Sequence, residues 1–176
     1  MTTTHSRQSA PEPRRAVLRQ LAATLAYRAA KVLRDAPPEF GSASFGAHTR
    51  RPVQIVAHMA DLMMWGVSIA RGDYVWKAEG SESWEVEVRR FFDALATLDG
   101  ELATNEHVEG AMEKLVQGPL ADALTHVGQL AMLRGMVDAP VRPESYARAA
   151  ITAGRVGMDQ PAPLREFDGD ASARKP

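Results

Sequence analysis

PLADALTHVGQLAMLRGMV, Pro119–Val137, carries only two formal charges, Asp122 and Arg134. Residues four and three apart share one face of an α-helix, so Asp122, His126 and Gln129 form a short polar stripe on an otherwise apolar rod. A rod so poor in charge belongs near the centre of a helical assembly. A carboxylate and an imidazole one turn apart within it need a partner.

A second stretch repeats the pattern. From Pro52 to Ala70 the one charged residue is Asp61, and at about 100° per residue Gln54, His58, Asp61, Trp65 and Ser68 fall in one narrow seam. Thr49 suits the N-cap, Pro52 the first turn, and Gly72-Asp73 the end. Two further helices flank these rods. Pro13–Arg34 repeats apolar residues at Val17, Leu21, Leu25, Ala29 and Val32, which leaves Arg14, Arg15, Arg19, Arg28, Lys31 and Arg34 for a wet face, and Asp35-Ala-Pro-Pro ends it. Trp84–Ala103 shows Trp84, Val88, Phe91, Leu95, Leu98 and Leu102 on one side, with Glu85, Glu87, Arg89 and Arg90 expected in solvent.

The links complete the plan. In Pro37–His48, Phe40 and Phe45 are positioned to pin the chain to the core, and Tyr74–Ser83 is long enough for a crossing rather than a hairpin. Asn105–Gly118 loops back with a short helical turn around Ala111–Val116, and Pro119 opens the fourth helix. Pro143–Thr152 is expected to form a short C-terminal helix closed by Gly154. The reading is all-α: a four-helix bundle with a crossover connection, in which the seams of the second and fourth helices face each other across the interior. Residues 1–11 read as a disordered N-terminal tail, 12–158 as the bundle domain and 159–176 as a flexible C-terminal tail.

Composition narrows the function. Hydrophobic residues at 45% and charged residues at 24% suit one globular domain, and a net charge of -1 gives no attraction for nucleic acid. Without cysteine there is no disulfide, thiolate ligand or cysteine nucleophile, which fits a reducing compartment. No signal peptide is visible, and polar residues interrupt the apolar run Pro52–Ala70, so a cytoplasmic protein with no membrane role is expected.

A divalent transition metal (Zn, Ni, Fe or Mn) needs three or four ligands from different parts of the chain. His58, Asp122 and His126 supply two imidazoles and a carboxylate, leaving positions open for water or substrate. Asp61 and Gln129 are candidate supports or substrate contacts. Trp65 is a candidate pocket floor, and Arg134 either clamps an anionic substrate or closes its helix. His48 joins only if its loop folds back, while His107 reads as a surface residue. Met59, Met63, Met64, Met132 and Met136 read as core filling. The plainer reading makes Asp122 with His126, and His58 with Asp61, local pairs on solvent-facing stripes. Solvent stripes normally draw Lys, Glu and Arg, and these two seams hold none.

His126-Val-Gly-Gln129-Leu resembles the His-Arg-Gly-Gln-Leu signature in the last bundle helix of DinB-like proteins. Ile55-Val-Ala-His58-Met-Ala-Asp61 is similar to that family's second-helix histidine motif. The resemblance spans about residues 13–140 and implies a four-helix bundle with a crossover and a divalent-metal site, usually of three histidines. Two positions depart from it: Asp122 stands where the family has histidine, and Val127 where it has arginine. The expectation is a metal-dependent hydrolase or a transferase using a low-molecular-weight thiol, acting on a small-molecule substrate, with the metal activating water or a thiolate. A homodimer would bury apolar surface left on the second helix. The alternative is a non-catalytic ligand-binding or stress-associated bundle without metal.

Overall fold

The computed structural model describes residues 13–167, which are all-α, with no strand among the described residues. The expected tail at 1–11 lies outside them, as do residues 168–176. The helices are α1 (Pro13–Leu33), α2 (Pro52–Arg71), α3 (Trp84–Thr104), α4 (Met112–Leu115) and α5 (Ala121–Met136). A π-turn, Val116–Leu120, joins α4 to α5. Leu25, Met59, Met63, Leu95, Leu98 and Leu130 are fully buried between these rods. Each contributes roughly 1.5–3 kcal/mol by leaving water.

α3 and α5 each pack against both α1 and α2. Long-range polar contacts fix the directions. Arg51 pairs with Glu82, Arg90 donates to Asp61 and to the Ala57 carbonyl, and Arg71 pairs with Glu101. These partners climb together, so α2 and α3 run the same way. Arg15 reaches the Leu102 and Asn105 carbonyls while Arg19 holds Asp99, so α1 opposes α3. His58 meets Asp122, whereas Gly118 lies against Trp65, so α5 opposes α2.

Two parallel neighbours force the link between them to travel back along their length. Residues 73–83 do so as an exposed strap on α2: the Val75 amide donates to Ser68 Oγ at 2.8 Å and the Glu79 amide to Asp61 Oδ1 at 3.2 Å. Gly80 sits so close that a Cβ there would stand 2.8 Å from Ala57 Cβ.

The structure corrects several expectations. α2 is capped at Arg51, not Thr49: the Arg51 amide donates to Gln54 Oε1 at 3.0 Å. The last rod starts at Met112, and Pro119 lies inside it. The wide π-turn absorbs a residue that lacks an N–H, and the Ala121 amide reaches back to Val116 O. The short C-terminal helix reduces to a 3-10 turn, Tyr146–Arg148. Residues 159–167 lie on the body, with Gln160 buried and Glu166 bridged to Glu144. The basic row of α1 is not a wet face, because Arg15 is buried and Lys31 holds Glu144 and Glu166 at 2.8 and 2.6 Å. Val17 is exposed instead. Glu87 is also buried, held by Arg90 and the Ser81 amide. Met59 and Met63 fill the core as expected, but Met64, Met132 and Met136 are exposed. Phe40 is buried and Phe45 packs on the core, so the first link is pinned as its sequence predicts. α2 is long and apolar enough to cross a membrane, yet 72% of its most apolar window is buried by the other elements.

Candidate metal centre

Helix spacing puts Asp122 and His126 one turn apart on α5, and the opposed direction of α2 delivers His58 to the same level. His58 Nε2 lies 3.5 Å from Asp122 Oδ2, and His126 Nε2 lies 3.4 Å from Asp122 Oδ1. The two imidazole rings stand edge to face, 5.0 Å apart at 85°. One ligand atom from each residue falls within 4.8 Å of the other two, a set able to hold a metal ion.

The chemistry of these donors fits a cation. His126 Nδ1 lies 2.7 Å from Gln129 Oε1. A carbonyl oxygen only accepts, so Nδ1 carries a proton and, in the neutral ring, the Nε2 lone pair turns towards Asp122. An acceptor facing a carboxylate is unfavourable unless positive charge lies between them. Separations of 3.4 and 3.5 Å are long for charge-assisted hydrogen bonds, which run at about 2.7–2.9 Å. Burial, then the neighbouring His126 and Arg50, hold the His58 imidazole below its ordinary range despite Asp122, which keeps it unprotonated and able to donate a lone pair.

The site is a shallow one at the α2–α5 boundary, rather than a seam facing a seam across the interior. Side-chain exposure is 10% for His126, 23% for His58 and 46% for Asp122, so small molecules have access. The rest of the α2 seam serves other ends. Gln54 caps the helix, and Ser68 and Asp61 hold the strap. Asp61 is taken up by structural partners instead: Arg90 Nη1 binds it at 2.6 Å. Arg134 is taken up in the same way. Its guanidinium binds the Val32, Arg34, Asp35 and Ala139 carbonyls, closing the ends of α1 and α5. Of the four supporting candidates, Gln129 touches His126 directly, and Trp65 reaches the site through Trp76.

Trp76 is the residue that sequence reasoning passes over. It lies on the strap with its ring 5.6 Å from His58 and 5.9 Å from Trp65. The available signal was the apolar run Tyr74-Val-Trp76 in an otherwise polar link. On the other side of His126, a cleft of about 360 Å³ is bounded by His48, Thr49, Arg50, Ile55, Gln129, Met132 and Leu133. The loop before α2 thus folds back to bring His48 to this cleft, outside the three-residue ligand group. His107 is exposed and bound to Asn105 in a distant turn. Comparison with protein-family models, with curated proteins and with solved structures finds no match for this chain.

Proposed function

We propose that this chain is a DinB-like four-helix bundle with its crossover between α2 and α3. In this reading it is a divalent-metal-dependent enzyme of the cytoplasm, a hydrolase or a transferase that uses a small thiol. The observation that carries this reading is the convergence of three lone-pair donors, His58, Asp122 and His126, from two opposed helices. The His126-Val-Gly-Gln129 sequence and the strap between two parallel helices support the same kinship.

His58, Asp122 and His126 would hold the ion, with aspartate replacing a neutral imidazole and lowering the net charge of the site. Zn, Ni, Fe or Mn in that position supplies Lewis acidity that activates water or a thiol at neutral pH. Gln129 fixes the His126 ring and its tautomer. Trp76 screens one side of His58, and half-exposed Asp122 leaves the other approach open to a small-molecule substrate. With no cysteine in the chain, a sulfur nucleophile arrives with the cosubstrate.

Metal analysis of untagged protein tests the reading. It expects about one equivalent of transition metal, lost in His58→Ala, Asp122→Ala and His126→Ala. Protein that stays metal-free after incubation with each ion overturns it and leaves a non-catalytic helical protein. Bound metal whose removal melts the fold, with no turnover of thiol or ester substrates, assigns the ion a structural role instead.

A further inference from the structure

The cleft beside His126 has an uneven lining. Arg50, His48 and Gln129 give it polar groups and Ile55, Met132 and Leu133 apolar ones, and no Asp or Glu lines it. Arg50 is exposed and has no acidic partner among the described residues, whereas its neighbour Arg51 is paired with Glu82. Asp122, the nearby carboxylate, faces the two imidazoles and does not line the cleft.

An arginine left unpaired at the rim of a cleft with apolar lining residues suits a ligand that is part hydrocarbon and part carboxylate, because guanidinium and carboxylate bind in a fork-to-fork pair. A cleft of about 360 Å³ lies at the small end of ligand pockets, about 300–1,000 Å³. We infer that this cleft binds the carboxylate end of a small, partly apolar molecule, with Arg50 as its anchor. That this molecule is the substrate rests on the metal-centre reading; its binding to the cleft does not.

The test is calorimetric titration of chelator-treated full-length protein with hexanoate and with hexanamide, its neutral counterpart. Without metal, the carboxylate has no ion to bind in place of Arg50. Hexanoate should bind about tenfold more tightly than hexanamide, Arg50→Gln should remove that preference, and His58→Ala should keep it. Arg50→Lys, which keeps the charge and loses the fork, should fall between. Equal affinities for the two compounds in the wild type, no hexanoate binding, or a preference that survives in Arg50→Gln overturns the inference. A failure of the metal reading shows separately, as absent metal uptake with the hexanoate preference intact.

Discussion

In the proposed metal centre His126 can donate through Nε2 because something else occupies its other nitrogen. Gln129 does this at 2.7 Å without carrying charge, so it orients the ring and leaves the electrostatics to Asp122. Gln129→Leu should therefore lower metal affinity by about tenfold while leaving the helix intact, as read by competition with a chromophoric chelator. Gln129→Glu keeps an acceptor and should restore most of it. Asp61 and Arg134 show the opposite outcome for similar chemistry. Both are buried, and both are saturated by structural partners, Arg90 and the Glu79 amide for one and four carbonyls for the other.

At the scale of elements, the strap matters most, because it carries Trp76 to His58 without any secondary structure of its own. It is held at Ser68, at Asp61 and at Glu87, which accepts from the Ser81 amide at 2.6 Å and from Arg90 at 2.7 Å. Burial opposes ionisation of Glu87, yet Ser81 and Arg90 more than offset it, and its carboxyl titrates below the ordinary 4.5. A depressed folded-state pKa gives stability that is complete above 4.5 and lost as pH falls through the folded value. Urea denaturation should show Glu87→Gln costing about 2 kcal/mol at pH 7, with the penalty shrinking below pH 4.5 as the wild type loses the same charge. Gly80 offers an independent handle. Gly80→Ala puts a methyl 2.8 Å from Ala57 Cβ, and lifting the strap to relieve that overlap should cost about 1–2 kcal/mol. Limited proteolysis should then cut within 73–83 faster than in the wild type.

For the molecule as a whole, the last described segment acts as a brace on α1. Glu144 is fully buried and receives the Tyr27 hydroxyl and Lys31, while Lys31 also holds Glu166 from the far end of the segment. Removing one member strands a buried charge. Lys31→Met should cost about 3 kcal/mol, a fall in Tm of roughly 6–12 °C for a chain of this size, measurable by calorimetry. Arg15 and Arg19 thus attach α1 to α3, Lys31 and Arg34 attach it to the C-terminal segment, and α2 buries most of its apolar surface against its own chain.

Periodicity determined the long helices and the two polar stripes, His58 on one and Asp122, His126 and Gln129 on the other, because spacing along a helix is a local property that the chain carries with it, and the two phenylalanines of the first link marked its anchorage. Which polar groups meet, and which are merely fastened, depended on the tertiary structure. The direction of α2 relative to α3 gave Asp61 to Arg90 and laid Trp76 over His58. The fold of the C-terminal segment buried Lys31, and the end of α3 buried Arg15. The π-turn put Pro119 inside a helix that its chemistry would normally begin. For Asp61, Trp76, Lys31 and Arg15 a distant partner outweighed the local preference, and no sequence window contains that partner.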